Sequence, residues 1–161
     1  MNSLNQEYNR FIKMPYFVNY GFLPQTFESP NKTYFNEYHG DNDPLDCLDI
    51  SLSRVKIGEI VQVKVVGSFC LIDQGEVDWK ILCVNNEMLK LNKINENDYF
   101  TWFKEKGFLD GLMNKFKVYK TLEGKKANFI YNNDKVYSSD ETIKVVEEAN
   151  SDYREFIKRN K

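Results

Sequence analysis

Alternation of apolar and polar residues predicts strands in the first half of the chain. Residues 59–66 alternate in character, which is the pattern of a strand with one buried face. Gly67 interrupts this run, and residues 68–72 predict a second strand. The polar residues 73–76 predict a turn, and residues 78–84 predict a third strand. Short strands joined by tight turns predict a meander within a small barrel or sandwich.

A period near 3.6 residues predicts helices in the second half. Residues 97–106 predict a helix that stops at Gly107, because glycine favours the left-handed conformation that follows many helix ends. Residues 108–119 predict a second helix with one apolar face. The members of that face are Leu109, Leu112, Met113 and Phe116.

The last helix has the clearest pattern in the chain. Ser138 and Glu141 have the spacing of a capping box, in which each side chain bonds the backbone N–H of the other residue. An apolar stripe follows, which predicts a helix face packed on a core rather than a cofactor site. The stripe comprises Ile143, Val146, Asn150, Tyr153 and Ile157, widened by Val145, Ala149 and Phe156.

Length and composition place these elements in one globular domain that covers residues 1–161. Apolar residues make up 42% of the chain and aromatic residues 15%, which is enough to fill a core and argues against disorder. Cys47, Cys70 and Cys83 lie in apolar runs without the paired spacing of a zinc site. They therefore predict reduced core residues, and with them a cytoplasmic location.

Charge and hydropathy exclude several classes of partner. The net charge is −2 and the basic residues are scattered, so the chain offers no basic surface for nucleic acid or a membrane. An OB-like barrel that binds nucleic acid would need a basic groove with exposed aromatic residues. No apolar run reaches the length of about 18 residues that spans a bilayer. The N-terminal residues 1–13 lack the apolar region of a secretory signal.

Three aspartates, Asp41, Asp43 and Asp46, crowd the stretch HGDNDPLDCLD without a basic neighbour. A surface loop could leave these carboxylates in water, since like charges this close otherwise raise one another's pKa. The spacing does not match an EF-hand, because Leu52 stands where the bidentate glutamate belongs. The chain also lacks a P-loop motif. A turn stiffened by Pro44 can instead direct the aspartates at one hard cation such as Mg²⁺.

A second acidic corner lies further along the chain. Asp73 ends one predicted strand and Asp78 begins the next, so a tight turn brings the two together. Two acidic corners on one small domain predict a site for more than one metal, an arrangement that serves phosphoryl transfer. The single histidine, His39, lies beside a turn glycine and gives no support to a Ser-His-Asp site.

Four sequence blocks, in this order, resemble the soluble family I inorganic pyrophosphatases, most closely the animal and fungal type. The blocks are NYGFLPQTFE at residues 19–28, GDNDPLD at 40–46, LIDQGEVDWK at 71–80, and FKVYK at 116–120 with GK at 124–125. The second block matches the family signature D-[SGDN]-D-[PE]-[LIVMF]-D. The resemblance runs from about residue 10 to the final helix. It implies an α+β fold, with an OB-like small β-barrel flanked by C-terminal helices.

The resemblance implies Mg²⁺-dependent hydrolysis of inorganic pyrophosphate to two phosphates by a metal-activated water. Asp41, Asp46 and Asp78 would hold the high-affinity Mg²⁺, and Asp46 would bridge to a second one. Asp73 and Asp78 would hold a third metal that arrives with the substrate. Asp43 would accept the proton of the attacking water as general base.

The resemblance also implies a set of substrate-binding side chains, which are Tyr20, Lys80, Tyr119, Lys120, Arg10 and Tyr16. Tyr119 and Lys120 would grip the leaving phosphate, and Lys80 would lie at the rim and neutralise phosphate charge. The spacing of Arg10 to Tyr16 is shorter than is usual in the family. Pyrophosphate has no apolar part, so metals, Lys, Arg and Tyr have to bind it.

The N-terminal region departs from the family pattern. In the family, several strands that bring two glutamates and a lysine into the site precede the NYG block, whereas 18 residues precede Asn19 here. A barrel without its opening strands has unpaired edges and lacks site groups, so we expect reduced or absent turnover with Mg²⁺ binding retained. The alternative function is that of a catalytically weak relative acting as a binding or assembly partner. A homo-oligomer is expected, with a dimer favoured.

Overall fold

The computed structural model describes residues 18–159, which form a mixed sheet of seven strands with five helices. The strands are β1 (Asn19–Phe22), β2 (Thr33–Tyr34), β3 (Tyr38–Gly40), β4 (Asp46–Asp49), β5 (Val63–Asp73), β6 (Glu76–Asn85) and β7 (Phe129–Ile130). The helices are α1 (Asn86–Asn92), α2 (Glu96–Glu105), α3 (Phe108–Val118), α4 (Tyr131–Asp134) and α5 (Ser139–Arg159), with a 3₁₀ turn at Thr121–Glu123. The α+β class is confirmed, and the described sheet is not closed.

Strand β6 is the centre of the sheet because both of its edges are paired. β5 runs antiparallel along one edge, while β3 and β4 pair in parallel, one after the other, along the opposite edge. β1 then pairs with β4 and β2 with β3, both antiparallel. The predicted meander is therefore wrong, because the central strand takes parallel partners from an earlier part of the chain.

The hairpin of β5 and β6 turns at residues 74–75, whose φ angles of 55° and 92° are those of a two-residue I′ turn. The predicted turn is confirmed, but the predicted break at Gly67 is wrong, because β5 is one strand with a bulge between Val65 and Gly67. The bulge shifts the alternation by one residue, so that Val65 and Cys70 face the same core. Glycine is needed there, because a Cβ would lie 2.8 Å from the carbonyl oxygen of Tyr137.

Helices α2 and α3 confirm the helical pattern of the second half. The Asn95 side chain caps the start of α2, and Gly107, which separates the two helices, is left-handed with φ 72°. Helix α1 is not predicted by the pattern. Its start is capped by Asn85, whose side chain accepts the N–H groups of Glu87 and Met88. All members of the predicted α3 face are buried: Leu109, Leu112, Met113 and Phe116.

The two faces of the sheet carry two separate apolar cores. One face, with Leu48, Phe69 and Leu82, packs against α2 and α3. The other face, with Trp79 and Ile81, packs against α5. The cysteines are buried and free as predicted, and all of them lie in the second core: Cys47, Cys70 and Cys83.

Helix α5 covers the second core, but its contact stripe differs from the predicted one. Val145 and Ala149 pack there, whereas Ile143 is 42% exposed, so the prediction for Ile143 is wrong. Thr142, in the first turn of the helix, is fully buried, and its hydroxyl forms a 2.8 Å hydrogen bond with that of Ser68. The pattern of apolar residues does not reveal a buried threonine of this kind, because its hydroxyl forms its hydrogen bond with a residue far away in the sequence. None of the helices in the described part of the chain is long and apolar enough to cross a membrane.

The capping box at the start of α5 is confirmed. The N–H of Ser138 donates to Glu141 Oε2 at 2.8 Å, and the N–H of Glu141 donates to Ser138 Oγ at 3.3 Å. Lys135 Nζ donates to the same carboxylate at 2.7 Å. Lys135 and the Ser138 donors lower the pKa of Glu141 to about 2, so the ionised carboxylate stabilises the folded state.

We expect the stabilising effect of Glu141 to disappear in acid. Its folded pKa of about 2 is below the ordinary 4.5, so the contribution is present above pH 4.5 and is lost as the pH falls toward 2. Glu141→Gln should therefore lower the urea midpoint at neutral pH, and its difference from wild type should shrink in acid. Glu147→Gln, at an exposed site on the same helix, is the control. A difference that does not change with pH would contradict the assignment.

Candidate functional site

The loop between β3 and β4 carries the clustered aspartates along one edge of β6. Because β3 and β4 both pair with that edge, the chain leaves the sheet after Gly40 and returns to it at Asp46. Asp46 lies opposite Lys80 in the register. Within the loop, Asp41 Oδ1 accepts the N–H of Asp43 at 3.0 Å. The backbone that carries the three aspartates is therefore fixed beside the central strand.

Glu28 and Ser29 support this loop through backbone hydrogen bonds. The N–H of Glu28 donates to the carbonyl of Asp43 at 2.9 Å, and the carbonyl of Glu28 accepts the N–H of Asn42 at 3.0 Å. The N–H of Gly40 donates to the carbonyl of Ser29 at 3.2 Å. The two segments approach so closely that a Cβ on Gly40 would lie 2.4 Å from the carbonyl oxygen of Glu28. Glycine at this position therefore allows Glu28 to lie beside the aspartate loop.

Glu28, Asp41 and Asp78 form a cluster of acids in which one oxygen of each lies within 4.8 Å of the others. Glu28 is 1% exposed, and its Oε1 accepts the N–H of Trp79 at 3.1 Å. Its Oε2 is buried without a hydrogen-bond partner among the described residues. Burial raises the pKa of Glu28 well above its ordinary value and that of Asp41 to about 6. This set of hard oxygen ligands fits a divalent cation, which would relieve the buried charge.

Sequence reasoning did not single out Glu28. It ends the block NYGFLPQTFE, and no acidic neighbour within that block distinguishes it from a solvated glutamate. The only available signal was an acid at the end of a largely apolar stretch. Its burial depends on the backbone contacts with Gly40 and Asn42, which come from a later part of the chain.

Lys80 lies inside the site, between two of the aspartates. Its Nζ is 2.6 Å from both carboxylate oxygens of Asp78 and also contacts Asp46 Oδ2. The residue is 1% exposed, so its predicted position at the rim is wrong. Alternate residues of a strand share a face, so Lys80 lies on the same face of β6 as Asp78. On this face, the centre of the Phe116 ring lies 5.2 Å from Lys80 Nζ. Burial opposes its charge, but the carboxylates hold the pKa of Lys80 well above its ordinary value.

Tyr20 connects this ion cluster to the surface. Its hydroxyl donates to Asp46 Oδ2 and accepts a hydrogen bond from Lys80 Nζ at 3.1 Å. Tyr20 lies on β1, the outermost strand of the described sheet, and is 49% exposed, so its ring stands between the cluster and solvent. The structure thus joins Tyr20, Lys80 and Asp46, three of the predicted site residues, in one hydrogen-bonded group.

Asp73 forms a second charged group with two predicted substrate-binding residues. Its Oδ2 accepts the hydroxyl of Tyr119 at 2.8 Å and Lys120 Nζ at 2.5 Å. Although burial works against ionisation, these donors hold the pKa of Asp73 below its ordinary value. Leu71 lies opposite Asp78 in the hairpin, so Asp73, two residues further on, shares the face of Asp78. The hairpin therefore places Asp73 and Asp78, the two aspartates of the second acidic corner, on the same face of the sheet.

The remaining predicted residues are less constrained by the structure. Asp43 is exposed in the middle of its loop, with its backbone held by Glu28 and Asp41. Arg10 and Tyr16 lie outside the described residues. Metal binding, proton transfer and phosphate binding by the individual side chains stay predictions.

The fold and this arrangement of acids, lysines and tyrosines match a known protein family. A sequence model described as inorganic pyrophosphatase matches residues 2–154. The chain belongs to the inorganic pyrophosphatase family. The resemblance seen in the four sequence blocks is thereby confirmed.

Individual relatives agree with this family assignment. The chain is 37% identical to a probable inorganic pyrophosphatase of Plasmodium falciparum, over 91% of this chain and 40% of that protein. It is also 37% identical to an inorganic pyrophosphatase of Dictyostelium discoideum, over 98% of this chain and 58% of that protein. The chain therefore spans about half the length of these relatives.

Solved structures match in the same way. A crystal structure of type I inorganic pyrophosphatase from P. falciparum is 40% identical with a TM-score of 0.76, and the match covers 88% of this chain and 46% of that one. A truncated vacuolar soluble pyrophosphatase of Trypanosoma cruzi, in complex with PPi, is 32% identical with a TM-score of 0.79. That match covers 87% of this chain and 53% of the other. Both likenesses support the assigned fold.

Proposed function

We propose that the protein hydrolyses inorganic pyrophosphate to two phosphates with Mg²⁺ as its cofactor. The observation that carries this proposal is the convergence of Glu28, Asp41 and Asp78, whose oxygens lie within 4.8 Å of one another. Membership of the inorganic pyrophosphatase family supports the same reaction. The T. cruzi relative was crystallised with PPi, which supports pyrophosphate as the substrate.

Five carboxylates would hold the cations, namely Glu28, Asp41, Asp46, Asp73 and Asp78. Each offers hard oxygen ligands, which Mg²⁺ prefers over the nitrogen and sulfur ligands of softer metals. When bound, Mg²⁺ would lower the pKa of a water and neutralise charge on the phosphoryl oxygens. Glu28 joins the four ligands predicted from the sequence, because it clusters with Asp41 and Asp78 and one of its oxygens has no hydrogen-bond partner among the described residues.

Asp43 is proposed to accept the proton of the attacking water. Its backbone is held on both sides, by the N–H of Glu28 at 2.9 Å and by Asp41 at 3.0 Å. Its side chain is exposed, and no lysine or arginine of residues 18–159 forms an ion pair with it. A positioned carboxylate that remains free of a cationic partner is suited to act as a general base.

The substrate is proposed to be held by two pairs of donors. Lys120 Nζ and the Tyr119 hydroxyl converge on Asp73 at 2.5 and 2.8 Å, which places both donors at one point. Lys80 and Tyr20 form the other pair, beside Asp46. Charged and hydroxyl donors of this kind suit the oxygens of a small polyanion. Tyr119 and Lys120 are assigned to the leaving phosphate.

Assembly and location are also part of the proposal. A homodimer in the cytoplasm stays the prediction from the sequence. Relatives of this chain include proteins named as chloroplastic, in Arabidopsis thaliana, and as mitochondrial, in Saccharomyces cerevisiae. Fractionation of the source cells and light scattering of the purified chain test the two predictions.

The direct test is release of phosphate from pyrophosphate by the purified chain, measured across a Mg²⁺ titration and in EDTA. We expect release that requires Mg²⁺ and stops in EDTA. A side-by-side rate for the Dictyostelium relative tests the predicted reduction in turnover. No release at any Mg²⁺ concentration, with Mg²⁺ binding detected by calorimetry, would contradict catalysis and favour the alternative of a non-catalytic binding or assembly partner.

A further inference from the structure

The position of Lys80 conflicts with metal binding by its neighbours. Its Nζ lies 2.6 Å from both oxygens of Asp78 and also contacts Asp46 Oδ2. Asp78 is also a member of the cluster with Glu28 and Asp41. One lysine therefore bonds both oxygens of a carboxylate to which the proposed function assigns a metal.

A metal and the Lys80 ammonium cannot share these oxygens without a rearrangement. Mg²⁺ binds carboxylate oxygen at about 2.0–2.1 Å, so a Mg²⁺ on Asp78 would lie close to an Nζ hydrogen-bonded to the same atoms. Two cations at that separation in a buried site repel strongly, since little water is present to screen them. Lys80 is 1% exposed and thus has this low-dielectric environment.

We propose that Lys80 is the resident cation of the metal-free site, and that a divalent cation entering at Asp46 and Asp78 displaces its ammonium toward the substrate. Metal entry and presentation of Lys80 to phosphate are then one event. The inference rests on the proposed function, because it takes Asp46 and Asp78 as metal ligands. It also gives a reason for the burial of Lys80, because its ammonium balances the negative charge of Asp46 and Asp78 whenever no metal is bound to them.

The surroundings of Lys80 allow this movement. The lysine stem has four rotatable methylene groups, and Nζ is held by polar contacts and by the rings of Phe116 and Tyr20 at 5.2 and 5.5 Å. Tyr20 is 49% exposed and lies on β1, the outermost strand of the described sheet, so it is the part of this shell nearest to solvent. The Tyr20 hydroxyl already bonds Nζ at 3.1 Å and marks the direction in which the ammonium would move.

The test is the accessibility of Lys80 in the wild-type chain. The chain is treated with formaldehyde and a borane reductant, with and without saturating Mg²⁺, and each lysine is quantified by peptide mass spectrometry. We expect Lys80 to be protected without metal and methylated at least about tenfold faster with Mg²⁺. Lys117, which pairs with the exposed Asp134 and not with an acid of the cluster, should react equally in both samples.

A second measurement compares Mg²⁺ affinity in Lys80→Met and Lys117→Met by calorimetry without substrate. Loss of the competing cation should tighten Mg²⁺ binding by about tenfold or more in Lys80→Met and leave Lys117→Met like wild type. Bound Mg²⁺ with Lys80 still protected, or with an affinity unchanged by Lys80→Met, would overturn the inference alone. Absence of Mg²⁺ binding to the wild-type chain would instead contradict the proposed function.

Discussion

Replacement of Asp43 by Asn is expected to reduce phosphate release from pyrophosphate by about 10²- to 10⁴-fold, the range typical of a lost general base. Asn is isosteric with Asp but accepts no proton at neutral pH. Its backbone can keep the bonds to Asp41 and Glu28, so the loop should retain its conformation. The measurement is the initial rate of phosphate release at saturating Mg²⁺.

The matched control is Asp110→Asn, an exposed acid in the first turn of α3. It removes the same charge from the surface and should leave the rate within about twofold, as is usual for surface substitutions. Calorimetry should find Mg²⁺ binding to Asp43→Asn, because Asp41, Asp46 and Asp78 remain. A variant that loses Asp43 but keeps the wild-type rate would exclude this residue as the base.

Gly40→Ala is expected to destabilise the fold and to disrupt the acidic cluster. The new Cβ would lie 2.4 Å from the carbonyl oxygen of Glu28 and 2.7 Å from that of Ser29, and both are backbone atoms that cannot rotate away. Overpacking of this kind typically costs about 1–3 kcal/mol. Because the displaced segment bonds Asn42 and Asp43, the Mg²⁺ affinity should fall as well. Urea denaturation and a Mg²⁺ titration measure the two effects.

Gly21→Ala is the matched control for this substitution. It introduces the same methyl group on β1, where a Cβ would meet no heavy atom of residues 18–159 within 4 Å. Its free energy of unfolding should stay within about 0.5 kcal/mol of wild type, and Mg²⁺ binding should be unchanged. If Gly40→Ala behaved in the same way, the close packing of Glu28 against the aspartate loop would be refuted.

Local signals predicted much of the second half of the fold. The caps and periodicity of α2, α3 and α5 depend on residues three or four apart, which the chain sequence displays directly. The turn at residues 74–75 is equally local. The local pattern predicts a break at Gly67 rather than a bulge, because glycine is required there by the backbone of Tyr137, which lies 70 residues later in the chain. The parallel pairing of β3 and β4 with β6 has no local signal at all.

The candidate site likewise has residues that the sequence identifies and residues that only the structure identifies. The aspartate loop stands out in the sequence because three acids lie within six residues, and the structure places Asp41 beside Asp78 as the resemblance implies. The resemblance places Lys80 at the rim of the site, and nothing in the sequence separates Glu28 from a glutamate in contact with solvent. Only their burial, at 1% exposure each, distinguishes them.

The sequence by itself determined which chemical groups are present: hard oxygen ligands, a stiff acidic turn, and lysine and tyrosine donors suited to a polyanion. It also determined the family, because the blocks at residues 19–28, 40–46, 71–80 and 116–120 recur in order. The tertiary structure decided which of these groups meet. β6 pairs with β3 and β4 on one edge and β5 on the other, so acids from distant segments share one face with Lys80. Such pairing follows from long-range backbone hydrogen bonds and packing, which periodicity along the chain does not encode.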